Sequence, residues 1–278
     1  MAININKFRL NTLWEELIIY SLAVLYSILV AMKLNSVAIF SFDKQSLTLG
    51  QFFLFFFLAT LVFLCAVRYA KGDWLWQAIF GLGVFSGTEM VLSLFFPEYA
   101  AIILAGLLLF VRFKRPEVFW HNLLVFLGVV GIASFFGSGL RPYSVVVMLL
   151  ILSAYDFVAV YKTKHMVEMA VAMLEHRAIL AFILPFRWKD WFADLRVARP
   201  GEDFMVVGAG DVALPLLLVV SLLNESLAQA IFVSFFVVWG ALVNHFIFTS
   251  QKKARPIPGL PVLTFFSILG FFVSLWLT

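Results

Sequence analysis

Two aspartates, Asp156 and Asp211, each lie inside a long apolar stretch of the chain. An ionised carboxylate in hydrocarbon is costly, so acids in such positions are rare and mark functional sites. The two stretches are consecutive hydrophobic segments. The first hypothesis is therefore that both acids belong to one site.

Such a pair predicts a specific chemistry. Two carboxylates within hydrogen-bond reach cannot both ionise cheaply, so they share a proton and titrate as a pair. One can then act as general base on a water while the other, protonated, polarises a peptide carbonyl, as in aspartic proteases. Membrane transporters also use paired intramembrane aspartates, so a secondary transporter or cation channel with Asp156 and Asp211 as proton or ion ligands stays open.

The composition assigns the chain to the membrane. Of 278 residues, 63% are hydrophobic and only 13% are charged, with 33 Phe and 8 Trp, and the mean hydropathy is +1.02. A soluble domain cannot bury that much apolar surface. The single cysteine excludes an internal disulfide. The net charge of +4 is explained by basic cytoplasmic loops, so no nucleic-acid partner is implied.

The hydropathy pattern predicts an all-α protein with nine transmembrane helices, each near the length of about 20 residues that a bilayer requires. The predicted spans are Leu13–Met32, Leu47–Val67, Trp74–Phe96, Tyr99–Phe113, Val118–Phe136, Tyr143–Tyr161, Phe204–Leu223, Leu227–Phe248 and Leu260–Thr278.

Basic residues predict the orientation. With a cytoplasmic N-terminus and an external C-terminus, all lysines and arginines lie in cytoplasmic segments except Lys33, Lys44 and Arg141. Asp156 and Asp211 then lie roughly 8 and 11 Å below the cytoplasmic surface, at 1.5 Å of rise per residue. Acids at matching depth on consecutive antiparallel helices can face each other.

A long cytoplasmic connection, residues 162–203, separates two lobes of one membrane domain, residues 1–161 and 204–278. Its first half, HMVEMAVAMLEHRAILAFIL, predicts an interfacial amphipathic helix. Its second half mixes Trp with Lys and Arg, which is typical of a segment at headgroup level.

Polar residues elsewhere predict less. Glu89 in the third span is interpreted as a satisfied interhelical hydrogen bond or a snorkelling acid. His121 with Asn122, and Asn244 with His245, are interpreted as interfacial residues at or near span ends. The histidines and glutamates of the cytoplasmic helix do not form HExxH, so a zinc protease is disfavoured. We expect no metal and no cofactor.

Three motifs carry a family resemblance. Tyr155-Asp156 in the sixth span, Gly208-Ala209-Gly210-Asp211 in the seventh and Pro258-Gly259-Leu260-Pro261 opening the ninth resemble the YD, GxGD and PAL motifs of the presenilin and signal peptide peptidase family. These are the GxGD intramembrane aspartyl proteases. The likeness is sharp over Tyr143–Leu263, and the stretch from Tyr155 to Met166 is most similar to prokaryotic presenilin-type members.

The resemblance implies a function. Asp156 and Asp211 would be catalytic, Tyr155, Gly208 and Gly210 would complete the active-site motifs, and residues 258–261 would contact substrate or shape the site. One departure is Gly259, which stands where the PAL motif has alanine. The helix-breaking features also cluster in the last four of nine spans, whereas transporters commonly show matching halves. The family reading is therefore preferred to the transporter.

The resemblance also implies an orientation, a cellular location and a class of substrate. A cytoplasmic N-terminus is the presenilin orientation, and its substrates would be single spans with external N-termini. We expect a multi-pass protein of the cell membrane that acts on transmembrane polypeptides without partner subunits. An extended substrate strand could pair with backbone near Phe204–Val207 or Pro258–Pro261.

Overall fold

The computed structural model describes residues 5–36, 73–162, 178–196, 203–251 and 256–277, together with a few single positions between them. The predicted second span, Leu47–Val67, lies outside these ranges apart from four single positions, Gly50, Gln51, Leu54 and Leu58. Most of the predicted amphipathic helix after Lys162 also lies outside them.

Eight α-helices are present in the described ranges, and each overlaps one of the other eight predicted spans. They are α1 (Ile5–Ser36), α2 (Asp73–Ser93), α3 (Glu98–Lys114), α4 (Val118–Gly139), α5 (Pro142–Tyr161), α6 (Ala209–Leu222), α7 (Leu227–Thr249) and α8 (Leu260–Leu277).

Five of these helices (α1, α2, α4, α5 and α7) are long and apolar enough to cross a membrane, and α6 and α8 are shorter apolar helices. The protein is thus a mostly helical, multi-pass membrane protein. The count of nine spans and the orientation stay predictions.

The interior of the bundle is organised around α4, which packs against α1, α2 and α6. Close approach to α2 depends on glycine, because a methyl group on Gly131 would lie 2.0 Å from the carbonyl oxygen of Gly87. A methyl group on Gly137 would meet the side chain of Val220 on α6 at 2.7 Å. Small residues of this kind let membrane helices pack backbone to backbone.

Two short strands correct the predicted boundaries. Residues Phe204–Gly208, predicted as the start of the seventh span, form strand β2, and α6 begins only at Ala209. β2 pairs antiparallel with β1 (Ala181–Pro185), which was predicted as the end of the amphipathic helix. A short apolar run cannot be assigned to helix or strand by periodicity alone. Here the decision depends on a partner strand whose paired residues lie 19 to 27 positions away.

Strand β1 is held to α4 by side chains. Asn122 donates from Nδ2 to the carbonyl of Ile183 at 2.7 Å and accepts from its N–H at 2.9 Å. Nε2 of His121 lies 3.0 Å from the carbonyl oxygen of Ala181. His121 and Asn122 are buried, so their interpretation as interfacial residues is wrong. The side chains of His121 and Asn122 contact the edge of β1 that faces away from β2, where a third strand would otherwise pair.

After β1, a short 3-10 helix covers Trp188–Phe192. Nε1 of Trp191 donates to Oε1 of Glu15 on α1 at 3.0 Å. The aromatic residues of this segment therefore contribute a contact to the helical bundle, in addition to any contact with lipid headgroups.

Candidate active site

Asp156 lies five residues before the end of α5 at Tyr161. Only 4% of Asp156 is exposed, whereas its neighbours Tyr155 and Phe157 are 49% and 55% exposed. The helix therefore turns the acid into the bundle and the two aromatic rings outward. Tyr155 stands on the outer face of α5, next to the acid in sequence but directed away from it.

Asp211 lies in the first turn of α6, and Gly208 is the N-cap of that helix. The side chain of Asp211 folds back over Gly208, because a methyl group there would lie 3.2 Å from Oδ2 of Asp211. Gly210 is exposed and has open space where a side chain would project. Of the two motif glycines, Gly208 is thus the one that makes room for the carboxylate.

The segment before α8 contacts both acids. The N–H of Leu260 donates to Oδ2 of Asp156 at 3.3 Å. A methyl group on the preceding residue, Gly259, would lie 2.7 Å from Oδ2 of Asp211. Two consecutive residues therefore touch the two aspartates, which are close enough to interact electrostatically. The structure thus brings Asp156, Asp211, Gly259 and Leu260 together.

This contact explains the departure at Gly259. A Cβ atom on Gly259 would lie 2.7 Å from Oδ2 of Asp211, closer than real Cβ contacts allow, and 3.2 Å from Nδ2 of Asn244, which is a tight contact. Alanine would require Asp211 or the backbone to move. Pro261 follows in the first turn of α8, where proline costs no helical hydrogen bond.

A polar cluster missed at the sequence level lies behind Asp211. Nδ1 of His245 on α7 lies 2.7 Å from Oε2 of Glu16 on α1, and both side chains are almost fully buried. Asn244 is also buried, so the interpretation of Asn244 and His245 as interfacial is wrong. The signal that could have indicated this cluster is the Glu15-Glu16 pair near the start of the first apolar segment.

The register of the sheet leaves one strand edge facing away from β1. Backbone hydrogen bonds join Phe186 to Asp203 and Ala209 to Leu180, so the intervening pair Ile183 and Val206 is a non-hydrogen-bonded one. The N–H and C=O of Val206 therefore point away from β1. This edge runs directly into Gly208 and Asp211.

In the described ranges, no group of three His, Cys, Asp or Glu side chains is arranged to hold a metal ion. The site itself presents two carboxylates, backbone amides and the neighbouring polar cluster.

Comparison with known proteins shows the family of the chain. Residues 16–278 match the family described as signal-peptide peptidase, presenilin aspartyl protease. The chain belongs to this family. Membership of this family identifies the chain as an intramembrane aspartic endopeptidase. It also confirms the family resemblance predicted from the motifs.

Two solved structures of a presenilin family intramembrane aspartate protease share the protease fold. One, in space group C222, is 23% identical with a TM-score of 0.68, over 96% of this chain and 99% of that one. The other, in space group P2, is 25% identical with a TM-score of 0.64, over 93% and 97%. No curated protein sequence gives a significant match.

Proposed function

We propose that this protease hydrolyses peptide bonds within or near transmembrane segments by means of an Asp156/Asp211 dyad and a water molecule. The observation that carries the proposal is that the Gly259-Leu260 segment contacts both acids. The N–H of Leu260 donates to Asp156, and the backbone of Gly259 lies against the carboxylate of Asp211 because glycine has no side chain. A single short segment in contact with both acids supports one reaction centre.

The chemistry follows from the pairing. One carboxylate takes a proton from the water as it attacks the scissile carbonyl carbon, while the other, protonated, donates a hydrogen bond to the carbonyl oxygen. The proton held by the base then passes to the leaving amine as the C–N bond breaks. The low-polarity surroundings strengthen these interactions relative to bulk water.

The edge of β2 that faces away from β1 is suited to hold the substrate. A transmembrane helix must unwind locally before its peptide bonds can be attacked, and the unwound segment exposes backbone N–H and C=O groups. Val206 presents both groups outward, so an extended substrate strand can add to β2 by main-chain hydrogen bonds. A strand added there would continue past Gly208 to the dyad. Residues Pro258–Pro261 would contact it from the other side.

The bias of basic residues supports a cytoplasmic N-terminus and an external C-terminus. We place the protein in the cell membrane as part of the same proposal. In that orientation the carboxyl ends of α5 and α7 and the first turns of α6 and α8 lie towards the cytoplasm. The substrates would be single-span proteins with external N-termini, and the chain would act without partner subunits.

The test is cleavage of a purified single-span substrate in proteoliposomes by the wild type, D156N and D211N, with products identified by mass spectrometry. E89Q is a matched control, because Glu89 is another partly buried acid in an apolar helix. We expect both dyad substitutions to abolish cuts within the span and E89Q to retain them. Ion transport without any cleavage by the wild type would instead favour the transporter alternative.

A further inference from the structure

The buried pair formed by Glu16 and His245 joins residues that are 229 positions apart in the chain. Their side chains are 2% and 1% exposed. Burying two ionisable groups is expensive, and apolar residues of similar size often stabilise a fold equally well. Stability alone therefore explains this pair poorly, and its surroundings suggest another role.

Those surroundings include Asp211. The carboxylate of Glu16 is near enough to interact electrostatically with Asp211, and Tyr20, one turn further along α1, interacts with both acids. Tyr20 is fully buried. Its hydroxyl and Oε1 of Glu16 have no hydrogen-bond partner among the residues that the structure describes. α1 therefore presents buried polar atoms to the catalytic region.

Helix α7 also lies near Asp211, through Asn244, the residue before His245. Nδ2 of Asn244 and Oδ2 of Asp211 lie 3.2 and 2.7 Å from the point where a Gly259 side chain would begin, and so within about 6 Å of each other. Anchoring His245 to α1 thereby fixes Asn244 against the Gly259-Leu260 segment, which contacts both aspartates.

The ionisable groups around Asp211 can be assigned element by element. α5 contributes Asp156, α1 contributes Glu16 and Tyr20, and α7 contributes His245 through its bond to Glu16. The Pro258–Leu260 segment and strand β1 contribute none. Glu15 is bonded to Trp191, and His121 lies against Ala181. Glu16 is thus a third carboxylate beside the dyad, and His245 is its partner.

We propose that Glu16 and His245 form a positioning pair for the dyad, in which His245 satisfies the Glu16 carboxylate so that it does not compete for the proton shared by Asp156 and Asp211. The pair also holds α1 and α7 together at the site. Neither residue touches the substrate. This inference rests on the proposed function of the dyad.

The test compares H245Q with the double variant E16Q/H245Q. H245Q leaves a buried carboxylate beside Asp211, so we expect kcat to fall at least about tenfold with KM unchanged. Removing that carboxylate in E16Q/H245Q should recover most of the lost kcat. A purely structural pair would give KM and stability losses that the second substitution does not repair.

E15Q/H245Q is the matched control, because it removes the adjacent buried acid on the same helix. Recovery of kcat by E15Q as well, or no recovery by E16Q, overturns the proposal. If H245Q does not accumulate, N244D introduces a carboxylate near Asp211 with the Glu16–His245 bond intact. The proposal then requires at least about a tenfold loss of kcat, and an unchanged kcat overturns it.

Failure of this inference is distinguishable from failure of the dyad. If the wild type cuts and D156N and D211N do not, the dyad stands, and the recovery pattern alone decides the role of Glu16 and His245. If the wild type cuts no substrate, the proposed function itself fails.

Discussion

Gly259 and Asp211 are in contact at a place where no side chain fits. A Cβ atom on Gly259 would lie 2.7 Å from Oδ2 of Asp211. The backbone that opens α8 thus lies directly against the carboxylate of α6, while the next residue, Leu260, donates its N–H to Asp156. This relationship leads to the first two predictions.

G259A should lower kcat/KM about tenfold or more, because the added methyl group displaces the Asp211 carboxylate from its place opposite Asp156. Cleavage kinetics with a fixed substrate measure the effect. G106A is the control, since Gly106 on α3 has open space around it. Activity of G259A equal to that of the wild type would mean that the segment relaxes without moving Asp211.

Alanine substitutions at the three site glycines should have graded effects. A methyl group would meet Oδ2 of Asp211 at 2.7 Å from Gly259 and at 3.2 Å from Gly208, whereas Gly210 has nothing within 4 Å. We expect the loss of kcat/KM to be largest for G259A, smaller for G208A and smallest for G210A. If G210A is the most damaging of the three, crowding of Asp211 is not the reason for these glycines.

V206P should weaken substrate binding while preserving the sheet. The N–H of Val206 points away from β1. Proline at this position therefore removes a donor on that side and leaves the β1–β2 hydrogen bonds in place. We expect KM to rise about tenfold, the worth of one good backbone hydrogen bond, with thermal stability little changed. V206A, which keeps the N–H, should behave like the wild type. An unchanged KM in V206P would exclude strand addition at this edge.

Asn122 should be a major determinant of stability. N122A removes a donor and an acceptor from the buried backbone of Ile183, so the free energy of unfolding should fall by about 2–4 kcal/mol. Thermal unfolding in detergent measures this change. S134A on the same helix is the control, because it removes a longer hydrogen bond of 3.3 Å to Ser27. Equal losses in both variants would show that Asn122 has no special role in holding β1.

The predictions from the sequence are correct for features that depend on neighbouring residues. They are wrong for features that depend on contacts between distant parts of the chain. Helix α5 was predicted as Tyr143–Tyr161 and found as Pro142–Tyr161, because the hydropathy of a span is a property of consecutive residues. The prediction for Phe204–Gly208 was wrong, because β2 exists only by pairing with Ala181–Pro185. The buried roles of Asn122 and His245 were missed for the same reason.

The amino-acid sequence by itself determined that this is a membrane protein, that two acids lie in its apolar segments, and that its motifs are those of an intramembrane aspartyl protease. These features depend on composition and on short stretches of chain. Only the tertiary structure decided that Gly259 and Leu260 contact both aspartates, that the edge of β2 at Val206 faces away from β1, and that Glu16 meets His245. Each of these contacts joins distant parts of the chain, and hydropathy and motif spacing carry no information about which distant backbones approach each other.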